Sequence, residues 1–223
     1  MDRERISSYL HSLETEQNNV INDIEVFAGE HNIPIAKKDT VSFLQTVTKI
    51  KKPLRILEVG TAIGYSAILM TMSAGEGCET VSIEKKEENY RLAIANIERA
   101  KKEGLLDGKK ISLILGDAAK ELQRLDGEFD LIFMDAAKAQ YVVWLPLIKR
   151  LLSDGAVLFS DNVFQDETIF ESKFAIERRD RTIHKRMRQY LYELTHSSCF
   201  VTSILPVGDG VALSIYNKGK SDE

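Results

Sequence analysis

Short apolar runs alternate with helix-length segments between Leu54 and Asn162, and no other feature limits the possible folds of this chain as strongly. The apolar runs predict five strands, over residues 54–60, 79–84, 110–117, 129–136 and 155–162. Strands that alternate with helices pair in parallel, through right-handed crossover connections. The pattern therefore predicts a three-layer α/β sandwich around a mostly parallel sheet.

Both ends of the chain depart from this alternation. Near the C-terminus, "CFVTSILPVG" and "GVALSIYN" follow one another with only a tight turn between them, which predicts an antiparallel hairpin. Near the N-terminus, apolar residues at helical spacing predict helices around 6–13, 20–27 and 43–50. We therefore expect a single domain over 1–223, with an N-terminal helical cap over 1–53 and the sheet within 54–223.

Composition narrows the class of protein. With 223 residues, 43% of them hydrophobic, the chain can bury one sizeable core. A net charge of −4 gives no overall attraction to nucleic acid or to an anionic membrane. Two cysteines, no signal-peptide pattern and no apolar run long enough to span a bilayer are typical of a soluble cytoplasmic protein. We accordingly expect a cytoplasmic protein with no membrane partner.

Acidic residues end four consecutive predicted strands. Strands two to five finish in Glu84, Asp117, Asp135 and the pair Asp161-Asn162. Parallel strands bring their carboxyl ends to one edge of the sheet, where such folds place their ligands. Carboxylates gathered at one edge repel each other unless a ligand or cation compensates them. The sequence therefore predicts a binding site at this edge.

A glycine-containing turn follows the first predicted strand, in "EVGTAIGYS". Gly60 and Gly64 permit a tight turn and close approach of a ligand to the backbone. The spacing is not the G-x-G-x-x-G of dinucleotide-binding folds, and no P-loop lysine follows it. Glycines at such turns are also common for purely structural reasons, so this motif alone does not establish a site.

Four segments together resemble one family. "EVGTAIGYS", "FMDAAKAQY", "FSDNVF" and "LPVGDGVAL" are similar to the cation-dependent O-methyltransferases that use S-adenosylmethionine, the group of the caffeoyl-CoA and catechol methyltransferases. The resemblance extends from about Ile33 to Tyr216. It implies a seven-stranded, Rossmann-like methyltransferase sheet with an antiparallel last strand, in agreement with the predicted hairpin.

The resemblance also implies which residues bind the cofactor. The first turn would line its methionine part, Glu84 would hold the ribose hydroxyls, and Asp117 with Ala118 would flank the adenine. Ile35 or Ala36 could touch the cofactor as well. The full set of implied cofactor-binding residues is Glu58, Gly60, Thr61, Gly64, Tyr65, Ser66, Glu84, Asp117, Ala118 and Asp135.

A metal site and a catalytic lysine follow from the same resemblance. Asp135, Asp161 and Asn162 would bind Mg²⁺ or another divalent cation, and such hard oxygen ligands suit Mg²⁺. Lys138 occupies the position of the family's catalytic lysine, so Lys138 and Asp135 are the predicted catalytic residues. The plant motif D-A-D-K has an acid where this chain has Ala137, which removes one carboxylate near the lysine but leaves both predicted residues in place.

The predicted substrate rests on two segments. "DAAKAQY" and "RTIHKRMRQYL" resemble a bacterial subgroup that methylates 5-hydroxyuridine at the wobble position of tRNA. The stretch 178–188 holds six basic residues against one aspartate and could bind phosphates. The candidate RNA-binding residues are Arg178, Arg179, Arg181, Lys185, Arg186 and Arg188.

Other interpretations stay open at this point. The basic stretch could instead form a solvated helix face or a contact within the homodimer that we expect. The substrate could be a small molecule with two vicinal hydroxyls rather than tRNA. A non-catalytic nucleotide-binding module or a dehydrogenase could use a similar sheet, although the missing dinucleotide motif and the set of Asp135, Lys138, Asp161 and Asn162 argue against both.

Overall fold

The unbroken apolar character of the predicted strands requires that both faces of the sheet be covered. The computed structural model describes residues 5, 9, 12–13, 18–164, 168–172 and 174–220. These residues form one seven-stranded sheet with helices on both sides. The strands are β1 (Arg55–Val59), β2 (Glu79–Glu84), β3 (Lys110–Leu115), β4 (Phe129–Met134), β5 (Leu152–Ser160), β6 (Phe200–Leu205) and β7 (Val211–Tyr216).

The strand order is β3-β2-β1-β4-β5-β7-β6. Strands β1 to β5 pair in parallel, whereas β7 runs antiparallel to both of its neighbours, β5 and β6. The predicted fold class, including the antiparallel last strand, is confirmed. The order reverses between β1 and β4, and a crevice opens at such a switch point beyond the carboxyl ends of the strands.

Seven helices are described, and they cover both faces of the sheet. None of them, within the described residues, has both the length and the apolar character needed to cross a bilayer. The predicted helix around 6–13 lies mostly outside the described residues. The helices are α1 (Asn19–Glu30), α2 (Lys38–Lys51), α3 (Tyr65–Ser73), α4 (Glu87–Lys102), α5 (Ala118–Arg124), α6 (Tyr141–Leu151) and α7 (Arg181–His196).

The alternation of side chains along each strand divides the core in two. On β4, Leu131 and Phe133 point into the core beneath α1 to α4, while Ile132 and Met134 point into the core beneath α5 to α7. All four side chains are almost completely buried. Because successive side chains pack against opposite faces of the sheet, every residue from Leu131 to Met134 is apolar, and the apolar run ends at Asp135.

One strand boundary differs clearly from its prediction. Strand β5 begins at Leu152, three residues before the predicted start at Gly155. Helix α6 passes directly into β5, and Leu152 pairs with Phe129 across a register irregularity in β4. The glycine, with a φ of +68°, lies inside the strand rather than at its beginning.

Candidate active site

A cavity of about 860 Å³ opens beyond the carboxyl ends of the central strands. Its wall brings together residues from the turns after β1, β2, β3, β4 and β5, as the sequence predicted. The predicted site residues that line it are Gly60, Thr61, Tyr65, Ser66, Glu84, Asp117, Ala118, Asp135, Lys138 and Asn162. Ile35 and Ala36 also line it, whereas Glu58, Gly64 and Asp161 lie behind the surface.

Glu58 supports the wall of the cavity from inside the protein. Its side chain is fully buried and accepts hydrogen bonds from the hydroxyls of Ser66, at 2.5 Å, and Ser82. Burial raises the pKa of the Glu58 carboxyl to about 7, although both hydroxyls act in the opposite direction. Glu58 therefore fixes Ser66 at the start of α3 instead of facing the cavity itself.

The raised pKa makes Glu58 a source of pH-dependent stability. The folded state holds this proton up to a pH of about 7, whereas the unfolded chain releases it near 4.5. The free energy of unfolding therefore falls as the pH rises through this window, by up to about 3 kcal/mol. We expect Glu58→Gln to flatten this fall in urea titrations of the cofactor-free protein from about pH 5 to about pH 8.

Exposed Glu88 offers a matched control for that experiment. Glu88→Gln removes the same charge from the surface, and its stability profile should follow that of the wild type. An unchanged slope in the Glu58→Gln protein would show that Glu58 does not hold its proton in the folded state.

The glycine turn lies directly against the segment that follows β4. Gly60 has a φ of +105°, and a Cβ atom added there would lie 2.0 Å from the carbonyl oxygen of Asp135. Such an approach is possible only for glycine. The backbone N–H groups of Gly60 and Thr61 both donate to Ile83 O, which ties the turn to β2. The predicted cofactor turn and the predicted metal ligand are thus one packed unit.

Two acidic side chains shape the next part of the rim. Glu84 accepts from the backbone N–H groups of Ala62, at 2.8 Å, and Lys86, at 2.7 Å. Asp117 caps α5 by accepting from Ala119 N, and it forms an ion pair of 2.9 Å with Lys85. The hydrogen bond from Lys85 lowers the pKa of the Asp117 carboxyl. Both carboxylates are held in place, as binding of ribose and adenine would require.

The N-terminal helices close one side of the cavity. The Tyr65 hydroxyl donates to Glu25 at 2.6 Å, and Glu25 forms an ion pair of 2.9 Å with Lys38. These contacts join α1 and α2 to the first turn of α3. The segment between the two helices contributes Pro34, Ile35 and Ala36 to the cavity wall.

Asp135, Asp161 and Asn162 form a cluster next to Lys138, which we call the Asp–Asn cluster. Lys138 Nζ donates to Asp135 Oδ1 at 3.1 Å. The Asn162 amide is best satisfied with its oxygen accepting from Lys138 Nζ and its nitrogen donating to Asp209 Oδ2, each at 3.0 Å. That oxygen then occupies the amide position 3.3 Å from Asp135 Oδ1 and 3.4 Å from Asp161 Oδ2.

The Asp–Asn cluster fits a divalent cation. Adjacent oxygens around octahedral Mg²⁺, each about 2.1 Å from the ion, lie about 3 Å apart, close to the separations seen here. Burial, and then the charge of Asp135, raise the pKa of the Asp161 carboxyl to about 7, and a cation would offset both effects. The described residues contain no group of three or more His, Cys, Asp or Glu side chains suited to a metal, so this site depends on the amide oxygen.

Asp209 belongs to the surroundings of the cluster, and the sequence analysis missed it. It lies in the turn between β6 and β7, bonds to the amide of Asn162 and forms an ion pair of 2.6 Å with Lys37. In the sequence analysis, the segment around Asp209 contributed to the family resemblance and indicated a hairpin turn, but gave Asp209 no role. Gly208 in the same turn lies so close to Thr40 that an added Cβ would come within 2.4 Å of the hydroxyl. This turn therefore links the N-terminal cap to the cluster.

The basic stretch 178–188 surrounds the start of α7, and most of its arginines contact the protein itself. Arg179 pairs with Glu177 and Asp180, Arg181 donates to Ile176 O, and Arg188 donates to Glu171 O at 3.5 Å. Arg186 donates to Ala139 O at 3.1 Å, in the short 3₁₀ turn Lys138–Gln140. Arg178 and Lys185 are exposed. Phosphate binding by this stretch stays a prediction.

Sequence comparison places the chain among methyltransferases. A family model described as O-methyltransferase matches residues 6–216. The catechol O-methyltransferase of Mycobacterium tuberculosis is 32% identical over 166 residues, which cover 72% of this chain and 71% of that protein. Caffeoyl-CoA O-methyltransferase 1 of Eucalyptus globulus is 26% identical over 92% of this chain and 86% of its own length.

Solved structures agree with this placement. The O-methyltransferase from Bacillus cereus, determined in complex with S-adenosylhomocysteine, superimposes with a TM-score of 0.82 at 22% identity, covering 96% of this chain and 97% of that one. At this sequence identity, the likeness shows that the two proteins share a fold and no more. Together with the family match, the cavity wall and the Asp–Asn cluster, it supports one conclusion: the chain belongs to the O-methyltransferase family and is an S-adenosylmethionine-dependent enzyme.

Proposed function

We propose that this enzyme transfers the methyl group of S-adenosylmethionine to one of two vicinal hydroxyls on a small molecule of the catechol type, and that it requires Mg²⁺. The observation that carries the proposal is the meeting of the Asp–Asn cluster with Lys138 at the wall of the cofactor cavity. The names of the relatives, catechol and caffeoyl-CoA O-methyltransferases, support this substrate class over tRNA.

The proposed roles follow from the contacts of each side chain. Asp135, Asp161 and Asn162 would hold the cation, which when bound supplies the positive charge that stabilises a deprotonated hydroxyl and aligns two adjacent oxygens. In its neutral amine form, Lys138 Nζ, 3.1 Å from Asp135 Oδ1, would take the proton of the attacking hydroxyl, so that the O–H bond breaks as an N–H bond forms. The substrate oxygen then takes the methyl group from the sulfonium, and S-adenosylhomocysteine is released.

The cavity can accommodate both reactants. Its volume of about 860 Å³ lies toward the upper end of the range of roughly 300–1,000 Å³ that is typical of small-molecule sites. The turn residues between Gly60 and Ser66, together with Glu84 and Asp117, would hold the cofactor. The cluster would then face the space beside the transferable methyl group.

The experiment measures transfer of labelled methyl from S-adenosylmethionine to catechol, with Mg²⁺ and again with EDTA. We expect labelled product that depends on Mg²⁺. Resorcinol is the matched control, because its two hydroxyls are not adjacent and cannot share one cation. Equal transfer to catechol and resorcinol, or transfer that EDTA leaves unchanged, would contradict the proposal.

Methylation of 5-hydroxyuridine in tRNA is the second candidate function. The basic stretch 178–188 and its exposed residues Arg178 and Lys185 favour it, and a 5-hydroxyl beside a 4-carbonyl also presents two adjacent oxygens. The same assay, run with tRNA that contains 5-hydroxyuridine and with tRNA that lacks it, separates the candidates. Label on the modified tRNA, with none on catechol, would establish the second candidate in place of the first.

A further inference from the structure

Tyr141 places a buried hydroxyl between the ends of two strands. Its side chain is fully buried at the start of α6. The hydroxyl lies 2.9 Å from Met134 O and 3.3 Å from Asp161 O, both of which can accept its proton. The backbone N–H of Ala136 donates to the same hydroxyl oxygen at 3.3 Å. One side chain thus contacts three backbone groups at the ends of β4 and β5.

These three backbone groups surround the proposed metal ligands. Met134 and Ala136 precede and follow Asp135, and Asp161 is itself a proposed ligand that precedes Asn162. The regular pairing of β4 with β5 ends at Met134 and Ser160. Beyond that point the direct backbone link is the hydrogen bond from Asp161 N to Met134 O, at 3.0 Å. The Tyr141 hydroxyl adds a second link where the regular pairing has stopped.

The adjacent backbone needs such support. Asn162 has a φ of +59°, a left-handed conformation that costs free energy for a residue with a side chain. This conformation turns the chain sharply after Asp161, and the separation of the two strand ends decides where the amide oxygen lies relative to Asp135. A change in that separation would move the three oxygens of the Asp–Asn cluster apart.

We propose that Tyr141 is a positioning residue whose hydroxyl sets the separation of Asp135 from Asp161 and Asn162, and so sets the affinity of the cluster for a divalent cation. This inference rests on the proposed cation dependence. Tyr141 would act on residues that bind the cation and would not bind the cation itself. Removing a group that holds a metal ligand in place typically weakens metal binding about 10- to 100-fold.

Tyr190 provides a matched control from the same core. It is also almost completely buried, and its ring centroid lies 5.4 Å from that of Tyr141. Its hydroxyl bonds to the side chain of Ser160, at 2.6 Å, instead of to the backbone at the strand ends. Tyr190→Phe therefore also removes a buried, hydrogen-bonded hydroxyl, but it leaves the contacts around Asp135 intact.

The test is titration of Mn²⁺, followed by the electron paramagnetic resonance of the free ion, with wild type, Tyr141→Phe and Tyr190→Phe. Saturating S-adenosylhomocysteine is present throughout, because a bound ligand keeps a weakened variant folded. We expect Tyr141→Phe to bind Mn²⁺ at least about 10-fold more weakly. Tyr190→Phe should stay within about twofold of the wild type, since it leaves the backbone contacts on both sides of Asp135 unchanged.

Three outcomes would overturn the inference. Wild-type affinity in Tyr141→Phe would show that the hydroxyl does not position the ligands. Equally weakened Mn²⁺ binding in both variants would show that the effect comes from the general stability of the core. If the wild-type protein binds no Mn²⁺, the proposed cation dependence is contradicted as well. This result can be told from the other two because it does not involve the variants.

Discussion

Replacing Asp135 by Ala is expected to abolish methyl transfer, lowering kcat/KM by at least about 10³-fold. The change removes one proposed cation ligand and the carboxylate that holds Lys138 at 3.1 Å. The variant therefore weakens the cation site and removes one of the contacts that position the proposed proton acceptor. The measurement is labelled methyl transfer to catechol at saturating S-adenosylmethionine, over a range of Mg²⁺ concentrations.

Asp130 supplies the control for this variant. It lies on the same strand, β4, and its carboxylate accepts from Leu54 N and Arg55 N at the opposite end. Asp130→Ala should cost stability, because the carboxylate accepts three hydrogen bonds, the third from Ser153 Oγ. It should leave the activity of the folded protein near that of the wild type. Full activity of Asp135→Ala at micromolar Mg²⁺ would contradict the cation mechanism.

Gly60→Ala is expected to eliminate tight binding of S-adenosylhomocysteine, with a loss of about 100-fold or more. The added Cβ would lie 2.0 Å from the Asp135 carbonyl oxygen, and the backbone would be held at a φ of +105°. The turn after β1 or the segment after β4 must therefore move, and both line the cavity. Strain and overlap together should cost about 3 kcal/mol of stability or more.

Gly77→Ala is the control that separates the effect of backbone strain from the effect of steric overlap with Asp135. Gly77 also has a positive φ, of +73°, but an added Cβ would meet no atom within 4 Å. It should lose about 1–2 kcal/mol of stability and keep its affinity for the ligand. Calorimetric titration with S-adenosylhomocysteine checks both variants, and wild-type affinity in Gly60→Ala would contradict the close packing of the two turns.

The fold could be predicted from local patterns because the central strands of this sheet are buried on both faces, as β1, β2 and β4 show. Runs such as the one ending at Met134 are too short for a typical helix and are bounded by turn residues, which favours strands. The acid after each of the second to fifth runs marks where the strand leaves the core. The site was predictable for the same reason, since Asp135 and Asp161 follow neighbouring strands directly. Motif resemblance supplied Lys138 and the cofactor roles.

Other contacts could not be predicted because they depend on packing between distant segments. Nothing in the sequence near Asp209 shows that its turn reaches Lys37 and the amide of Asn162. Glu58 was expected in the cavity, yet burial of β1 places it behind Ser66. The predicted tRNA partner, homodimer and cytoplasmic location concern matters beyond a single folded chain and stay predictions, as do the predicted domain limits.

The link between Lys37 and Asp209 also bears on the order of events during folding. The two residues are 172 positions apart and lie at opposite ends of the described chain. Closing so long a loop costs more chain entropy than closing the short loops between neighbouring strands. We therefore expect the N-terminal cap and the last hairpin to meet late in folding, and the turn beside Asn162 to reach its final position only then. During refolding, competence to bind the cation should lag behind recovery of the sheet, so catalytic activity reports on the last step of folding.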